Sequence, residues 1–328
     1  MNDKPRWGIV GTGGIARSFA RDLVLDGHTL TAVGSRSQHT ADAFASEFGA
    51  PTAHPSYEAL AADPNVDIVY VATPHPMHHD NAALMLRHGK HVLVEKPFTI
   101  NAAEARDLVE LAKESSLVIL EAMWTRWLPH MVRIREIIAG GVLGDVRAMH
   151  ADHSQLLPAD PAHRINAPEL GGGALLDLGV YPASFASQLF GAPETVQAAA
   201  TMTPTGVDAH VAAVLSYPAE ALATFQAAST MRGSNTATVT GTLGRIEIDA
   251  VWYTPTSFRV YDSSNALIES YQRGEITGRG MQFQAREMED LVRRGQLSSD
   301  ILPTDETISI MDTLDRIRGL IGVRYPGE

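Results

Sequence analysis

Residues 7–16 read Trp7-Gly8-Ile9-Val10-Gly11-Thr12-Gly13-Gly14-Ile15-Ala16, an apolar run that leads into the pattern Gly-x-Gly-x-x-Ala. The run suits a buried strand, and a helical pattern follows it. The first glycine permits a tight turn, the second lets the main chain approach a pyrophosphate, and the small third residue lets helix and strand pack closely. Glycines also mark ordinary turns, so the motif gains its weight from standing between a strand and a helix. It predicts dinucleotide binding by Gly11, Gly13, Gly14, Ile15 and Ala16.

The first third of the chain repeats this strand and helix alternation. The expected strands are Gly8–Gly11, Leu30–Ser35, Ile68–Ala72, His91–Val94 and Val118–Leu120. The expected helices are Ile15–Asp26, Thr40–Phe48, Met77–His88 and Ala102–Ser115. Such alternation implies βαβ units and a parallel sheet, and strands without polar alternation are typical of a sheet buried on both faces. The predicted fold class is α/β, with a doubly wound Rossmann domain over residues 1–121.

The pattern changes after Glu121 and predicts a second domain over residues 122–328. One helix is expected at His130–Ala139, and alternating strands follow from Val146 to Tyr271. The chain then closes with two helices, Met281–Arg294 and Thr304–Ile321. Strands that cluster apart from helices indicate an α+β domain on an open, mainly antiparallel sheet.

Composition excludes several classes of protein. The chain of 328 residues has a formal net charge of −12 and no cysteine, which leaves no basic surface for nucleic acid, no disulfide and no thiolate site. The polar start runs into the first strand without an apolar signal region, and the apolar runs are far shorter than a membrane span. We therefore expect a cytoplasmic protein that binds neither nucleic acid nor membranes.

The segment after the second expected strand indicates which dinucleotide is bound. An NAD site usually places an acidic residue there to hold the ribose 2′-hydroxyl, whereas this chain reads Ser35-Arg36-Ser37. Arg36 can hold a 2′-phosphate with a fork of donors, and both hydroxyls add donors. The alternative is that Arg36 is a solvated surface residue. The segment favours NADP as cofactor, with NAD possible.

Two further segments carry polar side chains that suit chemistry. Glu95-Lys96-Pro97 follows a strand at the edge of the sheet where open α/β folds bind ligands, although a lone lysine is otherwise a solvated charge. Asp177 and Tyr181 stand four residues apart after a run of three glycines, which puts them on one face of a helix. Pro182 places the start of that helix near Asp177. The alternatives are a capping role for Asp177 and an interdomain packing role for Tyr181.

These segments together carry a resemblance to a known family. The glycine turn, Glu95-Lys96-Pro97 and the stretch Gly171-Gly172-Gly173-Ala174-Leu175-Leu176-Asp177-Leu178-Gly179-Val180-Tyr181 resemble the Gfo/Idh/MocA oxidoreductases. Within that family, residues 121–127, the Pro168-Glu169-Leu170 lead and the ending at residues 321–326 are most similar to the dimeric dihydrodiol dehydrogenases and the NADP-linked D-xylose dehydrogenases. The resemblance covers nearly the whole chain.

The resemblance implies roles for particular residues. Lys96 would be the catalytic lysine, and Asp177 and Tyr181 would bind or protonate the reacting oxygen. Further cofactor contacts are expected from Thr73, Pro74, His75, His78, Glu95 and Lys96 itself, and further substrate contacts from Trp124, Arg126 and Trp127. The family often has Asn at position 75, so the contacts of His75 are open. We expect no metal site at His75, His78 and His79, since no nearby carboxylate completes a ligand set; His78 would approach the nicotinamide, and His79 would face solvent.

The expected function is an NADP-dependent dehydrogenase or reductase that acts on the CH–OH group of a small polyhydroxylated substrate: an aldose, a cyclitol or a vicinal diol. Either Tyr181 or Lys96 would transfer the hydroxyl proton. The alternative is a regulatory protein that senses a dinucleotide or sugar without turnover. The half-exposed sheet predicts a homodimer or larger homo-oligomer.

Overall fold

The computed structural model describes residues 4–328, and Met1–Asp3 of the predicted first domain lie outside the described residues. The strands are β1 (Arg6–Val10), β2 (Thr29–Gly34), β3 (Thr52–His54), β4 (Ile68–Val71), β5 (His91–Glu95), β6 (Ile119–Ala122), β7 (Val146–Ser154), β8 (Thr195–Met202), β9 (Asp208–Tyr217), β10 (Ala221–Ala228), β11 (Ala237–Gly241), β12 (Gly244–Ile248), β13 (Phe258–Asp262) and β14 (Leu267–Tyr271). The α-helices are α1 (Gly14–Leu25), α2 (Gln38–Phe48), α3 (Tyr57–Ala61), α4 (His78–Arg87), α5 (Ala102–Glu114), α6 (Pro129–Ala139), α7 (Val180–Phe190), α8 (Gln282–Arg294) and α9 (Thr304–Ile321).

One compact unit contains a six-stranded sheet in the order β3-β2-β1-β4-β5-β6, with every pairing parallel. Its strands are buried without alternation, as in β4, where all residues of Ile68–Val71 are buried. The strand order reverses between β1 and β4, and open α/β sheets bind ligands outside the carboxyl ends of the strands at such a point. The predicted doubly wound Rossmann sheet is confirmed.

The predicted elements of this unit have observed bounds within one or two residues of the expected ones, with two omissions. The sequence analysis did not find β3 and α3, which have three and five residues. Elements this short do not complete a strand or helix period, so hydrophobic patterning cannot detect them.

The first unit also includes Ile276–Thr307, which the sequence analysis assigned to the second domain. The Asp22 carboxylate on α1 accepts hydrogen bonds from the main-chain N–H groups of Arg279 and Met281, at 2.9 to 3.0 Å. The Trp7 indole N–H on β1 donates to the Glu289 carboxylate on α8, at 2.9 Å. These contacts join residues far apart in sequence, so no local pattern indicates them. The chain passes from the first unit to the second between Trp124 and Thr125.

The second unit, Thr125–Glu275 with Ile308–Glu328, contains an eight-stranded sheet in the order β14-β13-β12-β11-β7-β10-β9-β8. All pairings are antiparallel except that of β7 with β10. One face packs against α7, and β9 alternates buried and exposed residues along its length. The predicted α+β domain on a mainly antiparallel sheet is confirmed. Among the described residues, no helix has the length and apolar character that crossing a membrane requires.

Candidate functional site

The turn between β1 and α1 forms an open cradle. Gly11 has a φ of +98°, and a Cβ added there would lie 2.8 Å from the Ala72 carbonyl oxygen, so only glycine fits this position without strain. A Cβ added at Gly13 or Gly14 would meet nothing within 4 Å. Since α1 begins at Gly14, its first N–H groups lack helical partners and face this space. The space fits the diphosphate of a dinucleotide, which helix N-termini and bare glycine main chain bind.

The segment Ser35–Ser37 lies between the carboxyl end of β2 and the start of α2. The Ser35 hydroxyl is 2.6 Å from the Thr40 hydroxyl, and Ser37 stands immediately before the helix. Arg36 is exposed; burial raises the pKa of the Tyr57 hydroxyl, and the charge of the neighbouring Arg36 opposes that rise. The segment therefore presents a guanidinium, two hydroxyls and a helix N-terminus together. The sequence analysis missed Thr40 and Tyr57, which no motif marks.

His78 is fully buried and bound to main chain on both sides. Its Nδ1 lies 2.8 Å from the Pro97 carbonyl oxygen, and its Nε2 lies 2.8 Å from the Thr73 carbonyl oxygen. Burial lowers the pKa of His78, whereas the two carbonyl contacts act in the opposite direction. Because both ring nitrogens have carbonyl partners, the geometry favours a role in holding the loops after β4 and β5 together over the expected approach to the nicotinamide.

Thr73, His75 and His79, from the same segment as His78, also have defined contacts. The Thr73 hydroxyl accepts a hydrogen bond from the Asn81 amide at 3.2 Å, and His75 is buried next to the His78 ring. His79 was expected to face solvent, but its ring pairs with Asp107 at 2.7 Å and Asp80 at 3.0 Å. His79 differs from the expectation because Asp107 on α5 lies beside the start of α4. Sequence patterns do not indicate such a contact between two helices.

Glu95 and Lys96 lie at the carboxyl end of β5. The Glu95 side chain is buried, and its carboxylate accepts hydrogen bonds from the Tyr70 hydroxyl and, at 3.1 Å, from the Lys96 main-chain N–H. Lys96 is half-buried, and the Lys96–Pro97 peptide bond is cis. Glu95 thus anchors the main chain from which the Lys96 side chain leaves the sheet.

In the second unit, Asp177 is held by an arginine. Nη1 and Nη2 of Arg164 both donate to the Asp177 carboxylate, at 3.1 and 3.2 Å. The Asp177 side chain is 5% exposed, whereas that of Arg164 is 52% exposed, so the contact brings a surface charge onto a buried carboxylate. Asp177 lies within a π-helical segment, Leu175–Gly179, that runs into α7. The residues that cap these two helices are Ala174 and Gly179, so the alternative of a capping Asp177 is not supported.

Tyr181 lies in the first turn of α7, where Pro182 is tolerated. Its ring packs edge-on against His153 at 4.9 Å and lies 5.4 Å from the Tyr253 ring, and His153 stacks on Tyr253 at 3.7 Å between centroids. The Gln155 amide is 2.9 Å from His153 Nε2. This aromatic group, His153, Tyr181 and Tyr253, has no sequence signal, because its members come from β7, α7 and the loop after β12.

The glycine run before Asp177 is braced from two distant positions. The Asp208 carboxylate accepts the Leu175 N–H at 2.6 Å, and a Cβ on Gly173, whose φ is +120°, would overlap Asp208 Oδ1. The Tyr325 hydroxyl donates to the Gly172 carbonyl at 2.7 Å. Burial raises the pKa of Asp208 to about 6. The sequence analysis missed this brace as well.

Three residues expected to contact substrate are all buried, at 2 to 5% exposure. Arg126 donates from Nε to the Ser184 hydroxyl at 2.9 Å and from Nη2 to the Ser184 carbonyl at 2.7 Å, which favours a role in holding α7. Trp127 packs within the second unit, and Trp124 belongs to the first, where the Arg279 guanidinium lies over its ring at 5.6 Å.

Comparison with known proteins identifies the family of the chain. Residues 5–122 match the model of the oxidoreductase family with an NAD-binding Rossmann fold (GFO/IDH/MocA), and residues 131–247 match a GFO/IDH/MocA C-terminal domain. The chain belongs to the Gfo/Idh/MocA oxidoreductase family. It is an NAD(P)-dependent enzyme of the dehydrogenase and reductase class that acts on CH–OH groups, as the sequence predicts. The alternative of a sensor without turnover is not supported.

Individual relatives agree with the expected group. The chain is 36% identical to trans-1,2-dihydrobenzene-1,2-diol dehydrogenase of Homo sapiens over 331 residues, which cover 98% of each chain. It is 37% identical to D-xylose 1-dehydrogenase (NADP(+)) of Hypocrea jecorina over 365 residues, covering 98% of this chain and 93% of that one. Among solved structures, an aldose-aldose oxidoreductase from Caulobacter crescentus, crystallised with glycerol, is similar in fold with a TM-score of 0.86, 24% identity and 97% coverage of each chain.

Proposed function

We propose that the protein is an NADP-dependent oxidoreductase whose substrate is a small polyhydroxylated molecule, an aldose, a cyclitol or a vicinal diol, oxidised or reduced at one CH–OH carbon. The observation that carries the proposal is the Asp177 turn. It presents a buried carboxylate held by Arg164 and, one helical turn later, the hydroxyl of Tyr181. A carboxylate and a phenol on one segment suit the recognition of a substrate with several hydroxyls, since both bond to hydroxyl groups.

NADP is the cofactor. The glycine cradle at Gly11–Ile15 would hold its diphosphate, and the segment Ser35–Ser37 would hold its 2′-phosphate through the Arg36 guanidinium and the adjoining helix N-terminus. The relative named as an NADP(+)-linked D-xylose dehydrogenase supports this choice. When bound, the nicotinamide supplies the hydride chemistry.

The side chains of the protein would manage the hydroxyl proton and the charge. Tyr181 would take up or return the proton of the reacting hydroxyl, and Asp177, fixed by Arg164, would orient that hydroxyl. Lys96 would stabilise negative charge as it develops on the substrate oxygen. Lys96 as the proton-transferring group, with Tyr181 as the stabilising donor, is the competing assignment.

A substrate panel tests the proposal. The purified protein is assayed by NADPH absorbance with aldoses, cyclitols and vicinal diols in the oxidative direction and with the corresponding carbonyl compounds in the reductive direction, each with NADP and NAD. Turnover confined to polyhydroxylated compounds supports the proposal, whereas turnover of simple aliphatic alcohols alone contradicts it. On a verified substrate, Tyr181→Phe should lose the alkaline limb of the pH profile; an unchanged profile moves proton transfer to Lys96 or a water.

The second unit also supports a proposal on assembly. Val214 on β9 and Leu222 on β10 are 41% and 47% exposed on the outer face of the sheet. A homodimer or larger homo-oligomer would cover this face and remove apolar surface from water. Light scattering at micromolar concentration tests it, with Val214→Lys as the disrupting variant; a wild-type protein that is only monomeric would contradict it.

A further inference from the structure

The segment between β14 and α8 is hydrogen-bonded to α1 and places one arginine beside that helix. The Asp22 carboxylate accepts the main-chain N–H groups of Arg279 and Met281 at 2.9 to 3.0 Å. Gly278, with a φ of +77°, packs so closely that a Cβ there would overlap the Asp22 carboxylate. The main chain of Arg279 is therefore fixed against α1, and only its side chain is exposed.

The Arg279 side chain extends toward the beginning of α1. Its Nη1 lies 3.3 Å from the Ser18 hydroxyl, which itself donates to the Gly14 carbonyl at 3.1 Å. The guanidinium also lies over the Trp124 ring, 5.6 Å from its centroid. Through Ser18, the guanidinium is linked by two successive hydrogen bonds to Gly14, the first residue of α1. A Cβ added at Gly14 or at the preceding Gly13 would meet nothing within 4 Å.

The charge of Arg279 is not neutralised by the protein. Among residues 4–328, no carboxylate forms an ion pair with it, whereas Arg17, on the same helix as Ser18, is paired with Glu47. A positive group near the N-terminus of a helix opposes the positive end of the helix dipole, which is unfavourable unless an anion lies between them. The diphosphate of a dinucleotide is an anion of the kind that helix N-termini bind.

We propose that Arg279 is a cofactor-binding residue whose guanidinium contacts the diphosphate of the bound dinucleotide. Its main-chain bonds to Asp22 set its position, and the Ser18 hydroxyl and the Trp124 ring orient its guanidinium before the cofactor arrives. This inference rests on the dinucleotide site of the family and not on the proposed substrate. It assigns Arg279 a different part of the cofactor from Arg36, which is proposed to hold the 2′-phosphate.

Cofactor titrations separate these two assignments. NADPH and NADH binding is measured by fluorescence for the wild type and for Arg279→Met, Arg279→Lys and Arg36→Met, and ADP-ribose binding by displacement of NADPH. Because both nicotinamide dinucleotides and ADP-ribose carry the diphosphate, Arg279→Met should weaken all three by the same factor, about tenfold, which corresponds to about 1.4 kcal/mol. Arg279→Lys should recover part of the loss, since it keeps the charge without the fork. Arg36→Met should weaken NADPH alone.

Arg294→Met, which removes the same charge from the far end of α8, is the matched control, and thermal melting of each apoprotein shows whether it is folded. Unchanged affinities in Arg279→Met would overturn the proposal. A loss confined to NADPH would also overturn it and assign Arg279 to the 2′-phosphate, and a loss absent with ADP-ribose would assign it to the nicotinamide half. None of these measurements depends on a substrate, so failure of the proposed substrate class leaves this test intact.

Discussion

The turn after β1 and the turn before α7 both contain glycines, but they are stabilised in different ways. At the first, Gly11 is required by its own φ of +98° and by the nearby Ala72 carbonyl, and the open space belongs to Gly13 and Gly14. At the second, the glycine run makes room for side chains from elsewhere in the chain, Asp208 and Tyr325. The cofactor turn is therefore shaped by main-chain conformation and main-chain neighbours, whereas the Asp177 turn depends on side chains from distant positions.

The comparison predicts that binding and chemistry can be separated in the first unit. Lys96→Met should lower kcat by about 10²–10³, because a preorganised charge at the reacting oxygen is lost. NADPH affinity should change little, since the diphosphate contacts are proposed at Gly11–Ala16 and not at Lys96. Steady-state kinetics on a verified substrate and NADPH titration measure the two effects. Lys113→Met, an exposed lysine at the end of α5, is the control; a Lys96→Met enzyme with wild-type kcat would falsify the role.

The Asp208 carboxylate, which supports the Asp177 turn, should make the stability of the folded protein depend on pH. Burial raises the pKa of Asp208 from 3.8 to about 6 in the folded protein, so the folded state binds more protons than the unfolded state between these values. Stability is then lost as pH rises through that window. Asp208→Asn, which can still accept the Leu175 N–H, should gain about 2 kcal/mol relative to wild type between pH 4.5 and pH 7.5.

Urea denaturation of both proteins at the two pH values measures this difference. Asp300→Asn, at an exposed position in the first unit, provides the matched control and should show no such trend. A constant difference between wild type and Asp208→Asn across the pH range would mean that the Asp208 carboxyl does not titrate there.

Substitution of Arg164, the hydrogen-bond partner of Asp177, should have a smaller effect on activity than Lys96→Met. Arg164→Met removes a bidentate contact that fixes the carboxylate, so the substrate hydroxyl would be held less well and kcat/KM should fall about tenfold. The guanidinium is half-exposed, which limits the effect through solvent screening. The kcat/KM of Arg164→Lys should lie between those of the wild type and Arg164→Met. Arg232→Met, at an exposed arginine of the same unit, should have the kcat/KM of the wild type. Equal kcat/KM for Arg164→Met and wild type would remove Arg164 from the site.

The same contrast explains how much could be predicted from the sequence. The glycine turn, the parallel sheet and Lys96 at the end of β5 follow from hydrophobic runs and residues adjacent in the chain. Arg164 stands in a stretch of Pro and Asp without periodicity, and Asp208 simply begins a strand, so neither is marked by a pattern. Their roles exist only once β9 and the loop after β7 have been brought to the Asp177 turn.

The unit to which Ile276–Thr307 belongs also could not be predicted from local sequence patterns. The helix α8 was predicted as a helix because its amphipathic pattern is local. Its place beside β1 depends on Glu289 accepting a hydrogen bond from Trp7, a contact between opposite ends of the chain. Sequence patterning predicts that such a helix has a buried face, but it does not say which unit covers that face.

Substitution of Gly13 in the cofactor turn should give the smallest change in stability and should separate the stability of the apoprotein from its affinity for NADPH. Gly13 has φ −74° and ψ −176°, a conformation open to any residue, and an added Cβ would touch nothing within 4 Å. Gly13→Ala should therefore change the stability of the apoprotein by less than about 1 kcal/mol, because alanine restricts the unfolded chain but is less favourable than glycine at the N-cap of α1. The same methyl group would fill the space proposed for the diphosphate, so NADPH binding should weaken about tenfold or more.

Gly11→Ala should instead lose stability, because the φ of Gly11 is positive and an added Cβ would press on the Ala72 carbonyl. Thermal melting and NADPH titration of the two variants distinguish these outcomes, and a Gly13→Ala protein that binds NADPH like the wild type would show that the diphosphate does not lie against this glycine.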